Sequence, residues 1–149
     1  MHNTLHYLMR PMSHGRYADA GLLILRFTSG FFMAYVHGWD KLVNFTEYSK
    51  DFYDFLGLGF TISLGLAVFS ELFCSLFLIV GLGTRLAAFP LFITMAVIVF
   101  DLNWGNKVYE FESALLYMIN YVILCLTGAG RYSLDHKFFD KTKITGQAV

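Results

Sequence analysis

Residues 60–80 read FTISLGLAVFSELFCSLFLIV, an unbroken apolar run whose single charge is Glu71. A membrane-spanning helix needs about 20 largely apolar residues. Three further apolar runs, at residues 20–36, 86–102 and 113–127, carry charges only at one depth or at their ends. Because four such runs fill most of the chain, little polar sequence remains to cover them as the core of a soluble protein. The sequence therefore predicts an all-α, polytopic membrane protein built as a four-helix bundle.

The composition supports lipid as the surroundings of this chain. Of its 149 residues, 56% are hydrophobic, 18% are aromatic and 15% are charged, and the mean hydropathy is +0.54. Soluble domains carry about 25% charged residues. The formal net charge is zero, so there is no basic surface of the kind that binds nucleic acid. Membrane lipid is therefore the expected partner, and nucleic acid is not.

The positive charges predict an orientation. Most lie in the N-terminal segment, the turn near Gly81 and the C-terminal tail, and the two longer loops on the other side carry few. The positive-inside rule then places both termini in the cytoplasm. We expect an N-terminal cytoplasmic or interfacial segment at residues 1–18, a membrane domain at 19–135 and a cytoplasmic tail at 136–149. The cations on the predicted inner side are Arg10, Arg16, Arg85, Arg131, Lys137, Lys141 and Lys143.

The first outer loop contains aromatic residues at helical spacing. Phe45, Tyr48, Phe52 and Phe55 recur with charged residues between them. This pattern predicts an amphipathic helix lying in the membrane interface. Its aromatic face is equally suited to packing against the bundle and to docking a partner protein.

Two opposite charges lie inside the predicted spans. Arg26 is about seven residues into the first span, and Glu71 is about nine residues from the inner end of the second, which gives depths of about 10 and 14 Å. An unpaired charge at such depth costs at least about 2.5–3.5 kcal/mol. We therefore expect Arg26 and Glu71 to pair. The pair could fix the helix register, or it could form the polar floor of a ligand pocket.

A second polar cluster is predicted at the outer ends of the spans. His37 and Lys41 end the first span, Asp101 ends the third, and Glu110 and Glu112 open the fourth. Since all five lie on one side of the membrane, they could form one mouth or separate solvated ion pairs.

Glycine stops followed by arginine mark the inner ends of two spans. Arg85 follows Gly81 and Gly83, and Arg131 follows Gly130. Arginine at such a position is expected to cap helix carbonyls or to contact lipid phosphates. The chain shows neither metal-ligand spacing nor a nucleophile beside a base. No metal site is therefore predicted, catalytic residues are left unassigned, and a stand-alone enzyme is not expected.

Several short segments, taken in order, resemble the DoxX family of small four-helix bacterial membrane proteins. The resemblance runs from about Leu22 to Asp135. Its segments are LILRFTSG at 23–30, HGWDKL at 37–42, ELF at 71–73, GLGTRL at 81–86, ESALLY at 112–117 and LTGAGRYSLD at 126–135. The matching charged positions are Arg26, Lys41, Glu71, Arg85, Glu112 and Asp135.

The resemblance implies a function only in outline. The family is named for a subunit associated with a thiosulfate:quinone oxidoreductase. It therefore implies an auxiliary subunit of a redox assembly in the inner membrane of a bacterium. A histidine common in the family near the end of the third span is replaced here by Asp101, which argues against haem or metal ligation at that position. Asp135 is grouped with Arg85 and Arg131 at the inner ends of the helices.

Three functional hypotheses follow. The first is an auxiliary subunit of an electron-transfer assembly that binds quinone or lipid above the Arg26–Glu71 level. The second is an interaction or maturation protein whose outer aromatic helix docks a partner. The third is a small transporter, although four short helices leave little room for alternating access in one copy. Other membrane proteins or a second copy are the expected protein partners, since small residues such as Ser29 and Gly30 permit close helix packing.

Overall fold

The computed structural model describes residues 15–103, 105 and 107–139. Four of its helices are long and apolar enough to cross a membrane, which confirms the predicted fold class. Much of the expected 1–18 segment and of the 136–149 tail lies outside the described residues. The helices are α1 (Arg16–Val43), α2 (Phe45–Tyr48), α3 (Phe60–Val80), α4 (Thr84–Leu102), α5 (Val108–Thr127) and α6 (Leu134–Phe139).

The four long helices form a bundle that is closed unevenly. Neighbours in the chain pack along their lengths, most extensively α4 with α5, whereas α1 and α5 touch only sparsely. Fully buried apolar side chains, including Leu64, Leu78, Leu91 and Leu124, fill the centre. The sparse contact leaves a gap between the first and last spanning helices.

Two glycines fix the register of α1 against α3. A Cβ on Gly38 would lie 2.7 Å from the backbone nitrogen of Leu72, so Gly38 is level with Glu71. A Cβ on Gly81 would overlap the guanidinium of Arg26, so Arg26 is level with the end of α3. The ten residues from Glu71 to Gly81 separate these levels by about 15 Å at 1.5 Å per residue.

The predicted pairing of Arg26 with Glu71 is therefore wrong. The predicted depth of Arg26 assumes that its apolar run begins at the membrane surface. In the structure, the first ten residues of α1, Arg16 to Leu25, extend beyond the turn that joins α3 to α4. Arg26 consequently lies at the end of the bundle that also carries Arg85 and Arg131, here called the arginine end. The other end, which carries the segment at 44–59 and the described residues 103, 105 and 107, is called the loop end.

Wide π-helical turns interrupt three of the spanning helices. They cover Met33–Gly38 in α1, Phe69–Cys74 in α3 and Ile98–Leu102 in α4. The first two pack against each other and carry His37 and Glu71. Such turns are rare in proteins and are frequently found at functional sites.

The amphipathic helix expected from Phe45 to Phe55 is shorter than predicted. Only Phe45–Tyr48 is α-helical, and a single 3₁₀ turn follows at Phe55–Gly57. Polar side chains stabilise the turns instead: the Tyr48 hydroxyl donates to Asp40 Oδ2 at 2.8 Å, and the Gly59 amide donates to Asp54 Oδ1 at 2.7 Å. The bond to Asp40 raises the pKa of Tyr48. This loop is thus held by specific hydrogen bonds and not by helix propensity.

The chain after α5 folds back onto the arginine end. The Asp135 amide donates to the carbonyl of Gly81 at 2.8 Å. The Asp135 carboxylate accepts hydrogen bonds from the amides of Gly83 and Thr84, at 2.6 and 3.0 Å. Asp135 thereby caps the first turn of α4, where amides lack partners within the helix.

Candidate functional site

A buried ion pair lies at the level where Gly38 contacts α3. Lys41 Nζ is 2.6 Å from Glu71 Oε2, and Glu71 is 1% exposed. The backbone of Lys41 lies nearer the loop end than Glu71 does, and the Lys41 side chain is 20% exposed. Because Glu71 is about 15 Å from the arginine end, the pair lies near the middle of a hydrocarbon layer about 30 Å thick.

Aromatic rings extend this ion pair towards α5. His37 meets the ring of Tyr117 edge-on, with centroids 6.3 Å apart, and Tyr117 stacks on Tyr121 at 6.1 Å. Glu71 and Lys41 are both within electrostatic range of His37. We call these five residues, His37, Lys41, Glu71, Tyr117 and Tyr121, the polar cluster.

Tyr121 is the most deeply buried member of the polar cluster. Its side chain is 0% exposed, and its hydroxyl has no hydrogen-bond partner among the described residues. Glu71 and Tyr117 are within electrostatic range of it. Leaving a buried hydroxyl without a partner costs about 1–3 kcal/mol. The cluster therefore retains hydrogen-bonding capacity at mid-bundle.

A groove of about 300 Å³ opens between α1 and α5, where the two helices touch sparsely. Two of its hydroxyls already serve their own helix: Thr28 Oγ1 donates to the Ile24 carbonyl at 2.8 Å, and Ser29 Oγ donates to the Leu25 carbonyl at 2.6 Å. Tyr117 belongs both to the groove and to the polar cluster, so the two adjoin at this residue. The groove is lined by Thr28, Ser29, Phe32, Ser113, Leu116, Tyr117 and Asn120.

Arg26 belongs to a separate, structural group at the arginine end. It is 1% exposed, its Nη2 donates to the carbonyl of Tyr132, and Asp135 is within electrostatic range. Arg131 contacts Asp19 twice, through its amide at 3.0 Å and through Nε at 3.6 Å. These contacts tie the chain after α5 to α1.

Arg85 lies at the same end but contacts α5. Its Nη2 donates to the Leu126 carbonyl at 3.1 Å. This is the kind of carbonyl contact expected of an arginine at a helix end. Arg85 and Asp135 thus contact backbone at the arginine end, whereas Arg131 contacts the Asp19 carboxylate. The sequence did not indicate the partners of Arg131 and Asp135.

The group of polar residues predicted at the outer ends of the spans is only partly brought together in the structure. His37 and Lys41 join Glu71, as described above. Asp101 and Glu112 are exposed, and neither forms an ion pair with His37 or Lys41 in the described part of the chain. Of the two alternatives, a single mouth and separate ion pairs, the structure does not form the single mouth, because Lys41 reaches inward to Glu71.

Several residues of these sites were not predicted from the sequence, among them Asp19, Tyr117, Asn120 and Tyr121. Asp19 is 1% exposed and lies two helical turns before Arg26, on the same face of α1. Tyr117 and Asn120 share one face of α5 with Ser113, at spacings of four and seven residues. Each of these spacings places polar residues on one face of a helix, so both sets could have been recognised within their apolar runs.

A family model described as DoxX matches residues 21–104. The chain belongs to the DoxX family. The matched segment contains Arg26, Lys41 and Glu71, and it ends before α5, so the α5 side of the groove lies outside it. With its four apolar spanning helices, this DoxX protein is a membrane protein.

An uncharacterized protein of Haemophilus influenzae is 41% identical to this DoxX protein over 78 residues. The similar region covers 48% of this chain and 58% of that relative, so the chain spans less than two thirds of the relative's length. No solved structure matches the chain.

Proposed function

We propose that this DoxX protein is an auxiliary, noncatalytic subunit of a membrane electron-transfer assembly, in which it holds a quinone or a lipid. The observation that carries the proposal is that the groove adjoins the polar cluster at Tyr117, whose ring contacts His37 beside the buried Lys41–Glu71 pair. Ionisable residues inside a membrane bundle are most often functional. A ligand entering sideways from lipid would reach this polar group without crossing water.

The residues present suit a ligand with polar oxygen atoms. The Tyr117 hydroxyl and the Asn120 amide line the groove and make no hydrogen bond within the described part of the chain. Both can donate to a carbonyl oxygen. The volume of about 300 Å³ is at the lower end of small-molecule pockets, which suits a ligand about the size of a single substituted ring.

We further place the protein in the inner membrane of a bacterium, with both termini in the cytoplasm. The arginine end carries Arg26, Arg85 and Arg131, whereas Lys41 is directed inward at the other end. The bias of positive charge supports a cytoplasmic arginine end.

The proposal is tested by replacing the buried acid. The protein is purified in nanodiscs from its native membrane, and bound quinone, lipid and protein partners are identified by mass spectrometry. Glu71→Gln is expected to reduce the retained quinone or specific lipid several-fold. Because this change leaves Lys41 unpaired, the double variant Lys41→Met/Glu71→Gln serves as the control for the cost of a buried lone charge.

The two variants separate function from stability. If the double variant regains thermal stability but still lacks ligand, the polar groups themselves are needed for binding. Unchanged ligand in Glu71→Gln would rule out the pocket. Purification with neither quinone nor a redox partner would rule out the assembly.

A second candidate, docking of a partner protein at the loop end, is favoured by one observation. Leu56 has a left-handed backbone, with φ of 56°, and is 80% exposed. Such strain in a non-glycine residue is typical of functional sites. Leu56→Gly would relieve the strain and remove the side chain, so a more stable protein that loses its partner supports docking. Phe52→Ala/Phe55→Ala tests the half-buried aromatic residues in the same way, and retained partner argues against docking.

A further inference from the structure

Asn120 is a polar residue on the helix that is least covered by the rest of the protein. Only 17% of the most apolar window of α5 is buried, compared with 44% for α3. Asn120 is half-buried and faces the groove, and its amide makes no hydrogen bond within the part of the chain that the structure describes. Thr28 and Ser29 across the groove already donate to their own helix. The Asn120 amide therefore has both donor and acceptor capacity available on the lipid side.

The depth of Asn120 limits what can satisfy it. Arg85 contacts the Leu126 carbonyl, which marks the arginine end of α5. Asn120 precedes Leu126 by six residues, so it lies about 9 Å inside the arginine end of the helix. Water is absent at this depth, and an amide without a partner there is strongly unfavourable. Phospholipid acyl chains offer no hydrogen-bonding atoms, since the polar groups of these lipids remain in the interfacial region.

We infer that the groove binds an apolar ring compound bearing a carbonyl or hydroxyl group, and that Asn120 forms the hydrogen bond to that group. Phe32 and Leu116 provide the apolar walls of the groove. Tyr117, the member of the polar cluster that lines the groove, lies about one helical turn before Asn120. A ring carbonyl with an attached hydrocarbon tail can rest at this depth, whereas a phospholipid headgroup cannot. The inference rests on the proposed function in placing a ligand in the groove, and it does not depend on an electron-transfer partner.

The test uses the full chain in nanodiscs of synthetic dioleoylphosphatidylcholine, which contain no quinone. A p-benzoquinone with a decyl tail is added, and the bound amount is measured after capture of the discs, relative to empty discs. Wild type is expected to bind it saturably, at about one per chain. Asn120→Leu keeps the side-chain size and removes the amide, and should weaken binding about tenfold. Thr127→Val is the matched control on the same helix. It should change binding less than about twofold, because Thr127 does not line the groove and its hydroxyl already donates to the Ile123 carbonyl.

Several results would overturn the inference. These are binding no greater than in empty discs, equal binding by wild type and Asn120→Leu, or a loss in Thr127→Val equal to that in Asn120→Leu. A second copy is the competing occupant, because an amide can pair with its own counterpart. Efficient disulfide cross-linking of Asn120→Cys in a Cys74→Ser/Cys125→Ser background would assign the groove to a dimer.

The outcome separates the inference from the proposed function. Binding that is lost in Glu71→Gln but kept in Asn120→Leu would retain a ligand pocket and reject the role of Asn120. Binding that depends on Asn120, in a protein that purifies without a redox partner, would retain the groove and reject the electron-transfer assembly.

Discussion

Single residues decide whether the polar cluster is a site or a structural feature. A buried polar group in a purely structural network is normally hydrogen-bonded. Glu71 meets this expectation through Lys41, whereas the Tyr121 hydroxyl does not. Tyr121 is therefore the residue at which the two interpretations predict different results.

Replacement of Tyr121 by phenylalanine should leave the protein at least as stable as wild type. The change removes a hydroxyl that is buried without a partner in the described structure, and so removes its desolvation cost. The melting temperature in detergent should stay the same or rise, while retained ligand should fall. Tyr35→Phe, at a 67% exposed position on α1, is the control that should change neither quantity. A loss of stability in Tyr121→Phe, with ligand unchanged, would make the hydroxyl structural.

At the scale of helices, the turn between α3 and α4 contains two left-handed glycines with different surroundings. Gly81 has φ of 71° and contacts the Arg26 guanidinium, whereas Gly83 has φ of 59° and open space where a Cβ would be. An added side chain would strain the backbone at both positions. Only at Gly81 would it also collide with a neighbouring side chain, that of Arg26.

Alanine at these two glycines should therefore have unequal effects. Gly83→Ala is expected to lower the free energy of unfolding by about 1–2 kcal/mol because of its left-handed conformation. Gly81→Ala should cost about 1–3 kcal/mol more, since its methyl group would displace buried Arg26. Denaturation followed in detergent micelles measures both. Equal losses would show that Arg26 moves aside freely.

The helices also show what could be predicted from sequence. The bounds of α3 follow directly from its apolar run, because both ends coincide with glycines. The level of Arg26 could not be predicted, because α1 extends beyond its neighbours. The polar contacts of Arg26 and Asp19 are with residues more than 100 positions later in the chain. The polar stripe on α5 was readable from its spacing, but its position opposite a gap depends on how loosely α1 and α5 pack.

For the whole molecule, the orientation in the membrane is the property most open to a direct test. A chain with zero net charge can still be oriented by where its cations lie. Alkaline phosphatase fused to the C-terminus should be inactive, and a fluorescent protein fused there should fluoresce, because each reports the compartment in which it folds. A phosphatase inserted after Lys50, in the first long loop, should be active. The reverse pattern would place the arginine end outside the cytoplasm.

The closing of the arginine end by the chain that follows α5 has a consequence for how the protein is made. Arg26 and Asp19 obtain their contacts from residues 106 and 112 positions later in the chain. At a synthesis rate of about 5–20 residues per second, they wait about 5–20 s for those residues to leave the ribosome. During that interval the nascent first helix carries charges that its own segment cannot neutralise. Of the four spanning helices, α1 is thus synthesised first, but its buried charges obtain their contacts only after the other three have been made.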